Sequence, residues 1–186
     1  MRRFFNLHRN VFFLGLVSLF NDFSVEMVQS VMPVFLSVIL GVPPIGIGFI
    51  EGASDALASF VKVFSGWFSD KIHKRKIFAV FGYALSVITR FVLAFVSSFG
   101  QIFSLRLIDR MGKGVRDAPR DALLAESVER EDLGISFGYQ RAMDALGGML
   151  APFVVFLLLP LIAYSYRTLF LIAFGVGILA VFSFVF

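Results

Sequence analysis

The 186-residue chain is 58% apolar and only 16% charged, with a mean hydropathy of +0.86. That is too few ionic groups to coat a soluble globule of this size, so lipid must solvate most of the exterior. The net charge of +4 reads as basic loops on one side of a membrane rather than as a nucleic-acid surface. The chain has no Cys, which excludes disulfides, thiolate metal sites and thiol catalysis. Its two histidines, His8 and His73, both sit close to basic residues near predicted membrane ends, a poor basis for a metal centre. No cofactor is expected.

A membrane span needs about 20 mostly apolar residues, and six such stretches are predicted in a single domain, 1–186. The first runs from about Val11 to Leu40, long enough to tilt or bend, with Pro33 as the expected kink. A cleaved leader is not expected, because no small-residue cleavage site follows and the chain stays largely apolar past Asn21-Asp22. Gly41-Val42-Pro43-Pro44 breaks it. The second span is residues 45–68, followed by a polar, basic loop from Asp70 to Lys76. The third is 77–96, ended by Ser97-Ser98-Phe99-Gly100. The fourth, 101–124, is crowded with charge. An acidic loop from Glu126 to Leu133 leads to the fifth, 136–159. A turn at Pro160 and Tyr164-Ser165-Tyr166 leads to the sixth, 166–186. The fold class is therefore all-α integral membrane. Phe186 leaves no polar tail, which raises the expectation of a fragment.

Lys and Arg set the orientation. Arg2, Arg3 and Arg9 precede the first span. Lys71, Lys74, Arg75 and Lys76 follow the second, and Arg130 follows the fourth. The opposite loops carry only Arg167. The N-terminus is expected in the cytoplasm, in a multi-pass cell (inner) membrane protein.

Ionisable groups at membrane depth are costly and point to a pathway or a partner. Asp22 and Glu26, four apart, share a helix face. Asp22 lies about 18 Å along the helix from Asn10, near mid-bilayer. Glu51 and Asp55 repeat that spacing in the second span, with Lys62 beyond them, and Arg90 stands mid-depth in the third. Arg106, Arg110, Lys113, Asp117 and Arg120 form one helical stripe in the fourth span, flanked by Asp109, Arg116 and Asp121. The fifth adds Arg141 and Asp144. Two readings apply to each group, an internal ion pair or a pathway. Glu51, Asp55, Arg90, Arg141 and Asp144 are read as structural pairs, with Arg90 expected to meet Glu51 or Asp55. Arg116, Arg120 and Asp121 are read as paired or simply solvated near the cytoplasmic end. Asp22, Glu26, Arg106 and Arg110 are read as lining a polar cavity for substrate or protons. A carboxylate there can exchange a proton, since burial and a neighbouring arginine act on it in opposite senses.

The loop after the second span, Gly66-Trp67-Phe68-Ser69-Asp70-Lys71-Ile72-His73-Lys74-Arg75-Lys76, resembles motif A of the major facilitator superfamily, G-x-L-a-D-r-x-G-r-[RK]. Gly66, Asp70, Lys71, Lys74 and Arg75 fit; Phe68 replaces Leu and His73 replaces Gly. Arg110-Met111-Gly112-Lys113-Gly114 is similar to motif B, R-x-x-q-G. Gly147, Ala151 and Pro152 partly resemble motif C, without its later glycines.

The resemblance implies the N-terminal half of a twelve-span carrier, a bundle of two inverted three-helix repeats, with substrate between two such halves. It implies a secondary active transporter, coupled to an ion as symporter or antiporter, moving a small solute. Asp70 and its loop would serve as a gate. The expected partners are the bilayer, the solute, and a second six-span half or another copy of the chain; no nucleic acid is expected. A membrane enzyme is disfavoured. The metal-dependent phospholipid transferases carry D-G-x-x-A-R, whereas Arg110 follows Asp109 here, and excess arginine opposes a divalent cation. The other reading is a non-transporting partner subunit or a truncated fragment.

Overall fold

The computed structural model describes residues 3–4, 7–72 and 74–184. A short antiparallel pairing of Arg3–Phe4 with Leu7–His8 leads into α1 (Arg9–Gln29). Next come α2 (Met32–Val34), a π-helical turn (Phe35–Ile39), α3 (Pro44–Ile72), α4 (Arg75–Leu93) and α5 (Phe99–Glu126). A 3₁₀ turn (Arg130–Asp132) precedes α6 (Leu133–Leu161) and α7 (Tyr166–Ser183). His73 and the last two residues lie outside the described residues. Among those described, four helical segments are long and apolar enough to cross a membrane: Arg9–Ile39, Arg75–Leu93, Arg130–Leu161 and Tyr166–Ser183. The remaining long helices, α3 and α5, carry more charge.

Local chemistry sets the boundaries. Gly41 takes φ +64°, open to glycine without strain, and Pro44 opens α3, where its missing N–H is no loss. Ser98 caps α5 by accepting from the Gln101 amide, and Ser165 caps α7 by accepting from Thr168.

Several boundaries differ from the sequence expectation. The first span does not kink at Pro33 itself. The helix breaks earlier, at Ser30-Val31, and Pro33 sits in the first turn of the next segment, because proline disfavours helical geometry in the residues before it. Asp70 and Lys71 are not in a loop; α3 continues through them to Ile72, since polar residues extend a helix beyond the apolar layer. Pro160 does not begin the turn but lies inside α6, as does Pro152.

α1 packs against α6 and α7, α5 against α3 and α4, and α4 against α7. Small residues permit these approaches. A Cβ on Gly147 of α6 would meet the Leu19 carbonyl of α1 at 2.5 Å, and one on Gly114 of α5 the Ala58 carbonyl of α3 at 2.6 Å. Gly82 of α4 faces Gly112 of α5 in the same way.

Two apolar clusters form the core. One gathers Val11, Val17, Tyr83, Leu124 and Phe184. The other gathers Met27, Leu36, Ile50, Ile102 and Phe170. Along α1, Asp22 and Glu26 fall between them. Phe60, Phe64, Phe81, Phe153, Phe156 and Phe182 stay exposed, as suits faces solvated by lipid.

Candidate functional site: a charged cavity inside the bundle

α5 carries the chemistry. Its Arg106, Arg110, Arg116 and Arg120 are all buried, at 2%, 7%, 3% and 6% exposure. Buried guanidinium groups need partners, and most of these have them. Arg106 Nη2 donates to Gln29 Oε1 at 2.9 Å and to Glu51 Oε1 at 2.5 Å. Arg110 lies 3.5 Å from Glu51 Oε2 and 3.2 Å from Asp55 Oδ1. Arg120 donates to Asp121 at 3.0 Å and lies 3.9 Å from Asp144. With the Gln140 amide turned to satisfy both sides, its oxygen accepts from Arg120 Nε at 2.8 Å and Nη2 at 3.0 Å.

Arg116 differs. Its guanidinium lies 4.6 Å from the Tyr83 ring centroid, a cation–π contact. Among the described residues its ion pair is with Asp117, at 3.8 Å from Nε, and Nε and Nη1 are buried with no hydrogen-bond partner there.

These groups border a cavity of about 180 Å³. α1 contributes Asp22, Val25 and Glu26, and α3 contributes Lys62. α5 contributes Asp109, Arg110, Lys113, Arg116, Asp117 and Arg120, and α6 contributes Arg141 and Asp144. Six basic groups face five carboxylates, leaving one positive charge in excess if all are ionised. Asp22 accepts from Asn21 Nδ2 at 2.8 Å, and Asp109 from Thr89 Oγ1 at 3.3 Å. Lys62 and Lys113 are exposed and make no ion pair within 4 Å of another described residue.

Of the four expected cavity residues, the structure brings Asp22, Glu26 and Arg110 to this cavity. Arg106 does not line it, because Glu51 and Gln29 hold its guanidinium elsewhere. Arg90 corrects a second expectation. It meets neither Glu51 nor Asp55, which are taken by Arg106 and Arg110. Instead it donates to Ser24 Oγ at 2.9 Å and Asn21 Oδ1 at 3.3 Å. Ser24 Oγ in turn donates to the Ala173 carbonyl at 2.5 Å, so neutral acceptors join α4, α1 and α7. Arg116 and Arg120 are not solvated, as their burial shows. The signal for Arg116 was present: Asp109, Lys113, Arg116 and Arg120 recur at helical spacing and form a second row beside the expected stripe. Arg141 and Asp144 pair at 3.3 Å.

The motif residues lie at helix contacts. Gly66 approaches Ala118 of α5, where an added Cβ would stand 3.2 Å from that side chain. Asp70 accepts from Arg75 at 2.7 Å, and Arg75 also contacts Glu126 at the end of α5. Lys71 lies over Trp67, and Lys74 precedes the first residue of α4. Gly114 and Gly147 hold the close crossings described above, and Ala151, one helical turn after Gly147, is fully buried, with Pro152 next in α6.

The chain is 36% identical over 173 residues to an uncharacterized MFS-type transporter of Methanocaldococcus jannaschii, covering 93% of this chain and 43% of that protein. It is 28% identical over 147 residues to an uncharacterized protein of Mycobacterium tuberculosis, covering 79% of this chain and 36% of that one. It thus spans less than half the length of these relatives. Its fold superposes on a crystal structure of a POT family transporter in complex with 5-aminolevulinic acid, with TM-score 0.89, 16% identity, and 98% and 39% of the two chains covered. A peptide transporter POT in complex with sulfate matches with TM-score 0.86 and 20% identity over 99% and 38%. Residues 14–186 match the model of the Major Facilitator Superfamily. The chain therefore belongs to the Major Facilitator Superfamily, a family of membrane transporters rather than enzymes.

Proposed function

We propose that this chain is the N-terminal six-span half of a secondary active transporter that moves a small solute across the cell membrane. The observation that carries this reading is the charged cavity in an otherwise apolar bundle. Ionisable side chains at such depth are retained where they serve a pathway, and this one has Asp22, Glu26 and Arg110 on its wall. Asp55, Lys62, Lys113 and Arg141 continue the same polar side outward and are exposed. That side is unsuited to lipid and suited to a facing half across a water-filled path.

The helix pairings support two inverted repeats. Exchanging the first three spans (α1, α3, α4) with the last three (α5, α6, α7) turns α1·α6 into α5·α3 and α1·α7 into α5·α4. It leaves α4·α7 unchanged, and these are the principal pairings of the bundle. The six spans, in one domain, would place the basic loops and N-terminus in the cytoplasm. One end of the bundle gathers Asn10 with Ser127, His8 with Asp132, and Arg75 with Asp70 and Glu126. The Asp70 cluster would gate that end. Asp22 and Glu26 would carry the coupling proton.

Because the chain spans less than half the length of these relatives, the activity would reside in an assembly of this half with a second half, either a continuation of the chain or another copy. A non-transporting subunit is the other reading of the same observation. Uptake into proteoliposomes made from this chain alone, with and without a pH gradient, separates them. Gradient-driven uptake is expected if copies assemble into a carrier. Folded, helical protein without uptake, regained when a second half is supplied, identifies an incomplete carrier. No uptake in either case refutes the transport reading.

A further inference from the structure

We propose that the groove between α3 and α4 holds an acyl chain of an anionic phospholipid, whose phosphate sits on Lys71 and Lys74. The inference concerns the outer wall of the bundle and needs residence in a membrane, not transport.

α3 and α4 each pack along α5 and leave between them a groove of about 390 Å³ that reaches Val115 of α5. α3 lines it with Phe60, Phe64 and Phe68, and α4 with Phe78 and Phe81. The Phe60 and Phe64 ring centroids lie 4.7 Å apart. Phe68 and Phe78 meet edge to face across the two helices at 5.7 Å. The spacing orders these residues. Phe60, Phe64, Phe68 and Lys71 recur at intervals of four, four and three, and Lys74, Phe78 and Phe81 at four and three, so each set keeps to one helix face. Both phenylalanine rows therefore end in a lysine, where α3 stops at Ile72 and α4 begins after Lys74. From Phe60 to Lys71 the helix rises about 16 Å, roughly half of the ~30 Å hydrocarbon layer. The groove is thus one leaflet deep, the reach of a single acyl chain below its headgroup.

Charge selects the headgroup. The two acids at this junction, Asp70 and Glu126, both contact Arg75. Lys71 and Lys74 are exposed and have no ion-pair partner within 4 Å among the described residues. Lys71 Nζ lies 5.2 Å from the Trp67 ring centroid, an aromatic and a basic anchor of the kind found at a membrane interface. Lys71, Lys74, Arg75 and Lys76 against Asp70 and Glu126 leave two positive charges in excess. A phosphodiester with no other charge complements that excess, as anionic lipids do for basic segments beside a span. A zwitterionic headgroup brings an ammonium that opposes it. A second copy related by a two-fold axis along the membrane normal would set these lysines against each other.

The test is lipid binding to the purified full chain, read as lipid retained in native mass spectrometry and as the unfolding midpoint against lipid concentration. Dioleoyl phosphatidylglycerol is expected to bind about tenfold or more tightly than dioleoyl phosphatidylcholine. Glycerol 3-phosphate, a phosphate without the chains, should give no saturable shift. Combining Lys71→Gln with Lys74→Gln should bring phosphatidylglycerol down to the level of phosphatidylcholine. Phe64→Ala and Phe81→Ala, at exposed positions that do not threaten folding, should each weaken its binding severalfold. Arg130→Gln, in the turn before α6, should leave it unchanged. Equal binding of the two lipids would overturn the proposal. So would a loss as large from Arg130→Gln, which would mean diffuse surface charge, or binding indifferent to both phenylalanine variants, or glycerol 3-phosphate binding as tightly as the lipid. The chain has no Cys, so Phe64→Cys supplies a single thiol. Cross-linking of copies through it in bilayers containing phosphatidylglycerol would put a second copy on the groove and overturn the lipid assignment. Loss of phosphatidylglycerol binding when a second half is supplied would do the same. Uptake enters none of these readouts, so failure of the lipid site leaves the carrier reading standing, and failure of uptake leaves the lipid site standing.

Discussion

Ser65 on α3 donates from Oγ to the Val115 carbonyl on α5 at 2.6 Å. Pro119, four residues on, has no N–H to offer that carbonyl. A neighbouring helix thus supplies the hydrogen bond that the proline removes, as apolar surroundings require. Ser65→Ala should therefore destabilise the protein by about 1–2 kcal/mol. In a Pro119→Ala background the same change should cost much less, because the Val115 carbonyl regains a partner within its own helix. A double-mutant cycle on unfolding in detergent measures this, and additive effects would refute it.

Gly177 on α7 leaves room for the Arg90 guanidinium. A Cβ at 177 would stand 2.7 Å from Arg90 Nη1 and 2.9 Å from Val87 Cγ2. Gly177→Ala should lower stability by about 1–3 kcal/mol. Gly175, whose added Cβ would meet nothing within 4 Å, is the control, and its alanine variant should unfold at or above the wild-type temperature. Equal midpoints for the two variants would show that Arg90 can move aside.

Glu51 compensates both Arg106 and Arg110. Glu51→Gln would leave Arg106, at 2% exposure, with a neutral amide and Gln29 in place of a carboxylate. The expected loss is about 3 kcal/mol, in the range for breaking one side of a buried pair. Arg106→Met in the Glu51→Gln background should restore part of it. Thermal unfolding of the single and double variants checks both the loss and the recovery.

Asp22 and Glu26 are expected to matter for transport more than for folding. Among the described residues Asp22 accepts from its neighbour Asn21 and neither Asp22 nor Glu26 has an ion-pair partner within 4 Å, so Asp22→Asn and Glu26→Gln remove charge without breaking an ion pair between helices. In an assembly competent for uptake, each should reduce gradient-driven uptake, and the pair should abolish its pH dependence while leaving the unfolding temperature within a few degrees of wild type. Unchanged pH dependence in the double variant would exclude them as proton carriers.

Ala163 and Tyr164 adopt φ +51° and +56° at the end of α6. A side chain there costs about 1 kcal/mol relative to glycine. Ala163→Gly should raise the unfolding midpoint, despite the greater freedom it grants the unfolded chain.

Much of this protein was legible without coordinates, because bilayer thickness imposes a length and hydropathy pattern on each span. The six helical stretches, the Gly41 to Pro44 break, the turn at Ser98, and the cavity positions of Asp22, Glu26 and Arg110 all follow from local sequence. Helical spacing sorts residues onto faces, so it could also have placed Arg116 beside Lys113. It could not choose between partners on different helices. Arg90 and Arg106 stand at similar depth, and only the packing of α3 on α5 and of both α4 and α1 on α7 gives Glu51 to Arg106 and leaves Ser24 and Asn21 to Arg90. Ion pairing in a low-dielectric interior is decided at distances of a few ångströms. Hydropathy and periodicity fix depth and face but not which side chain stands opposite, so the partner of each buried arginine is a property of the assembled bundle alone.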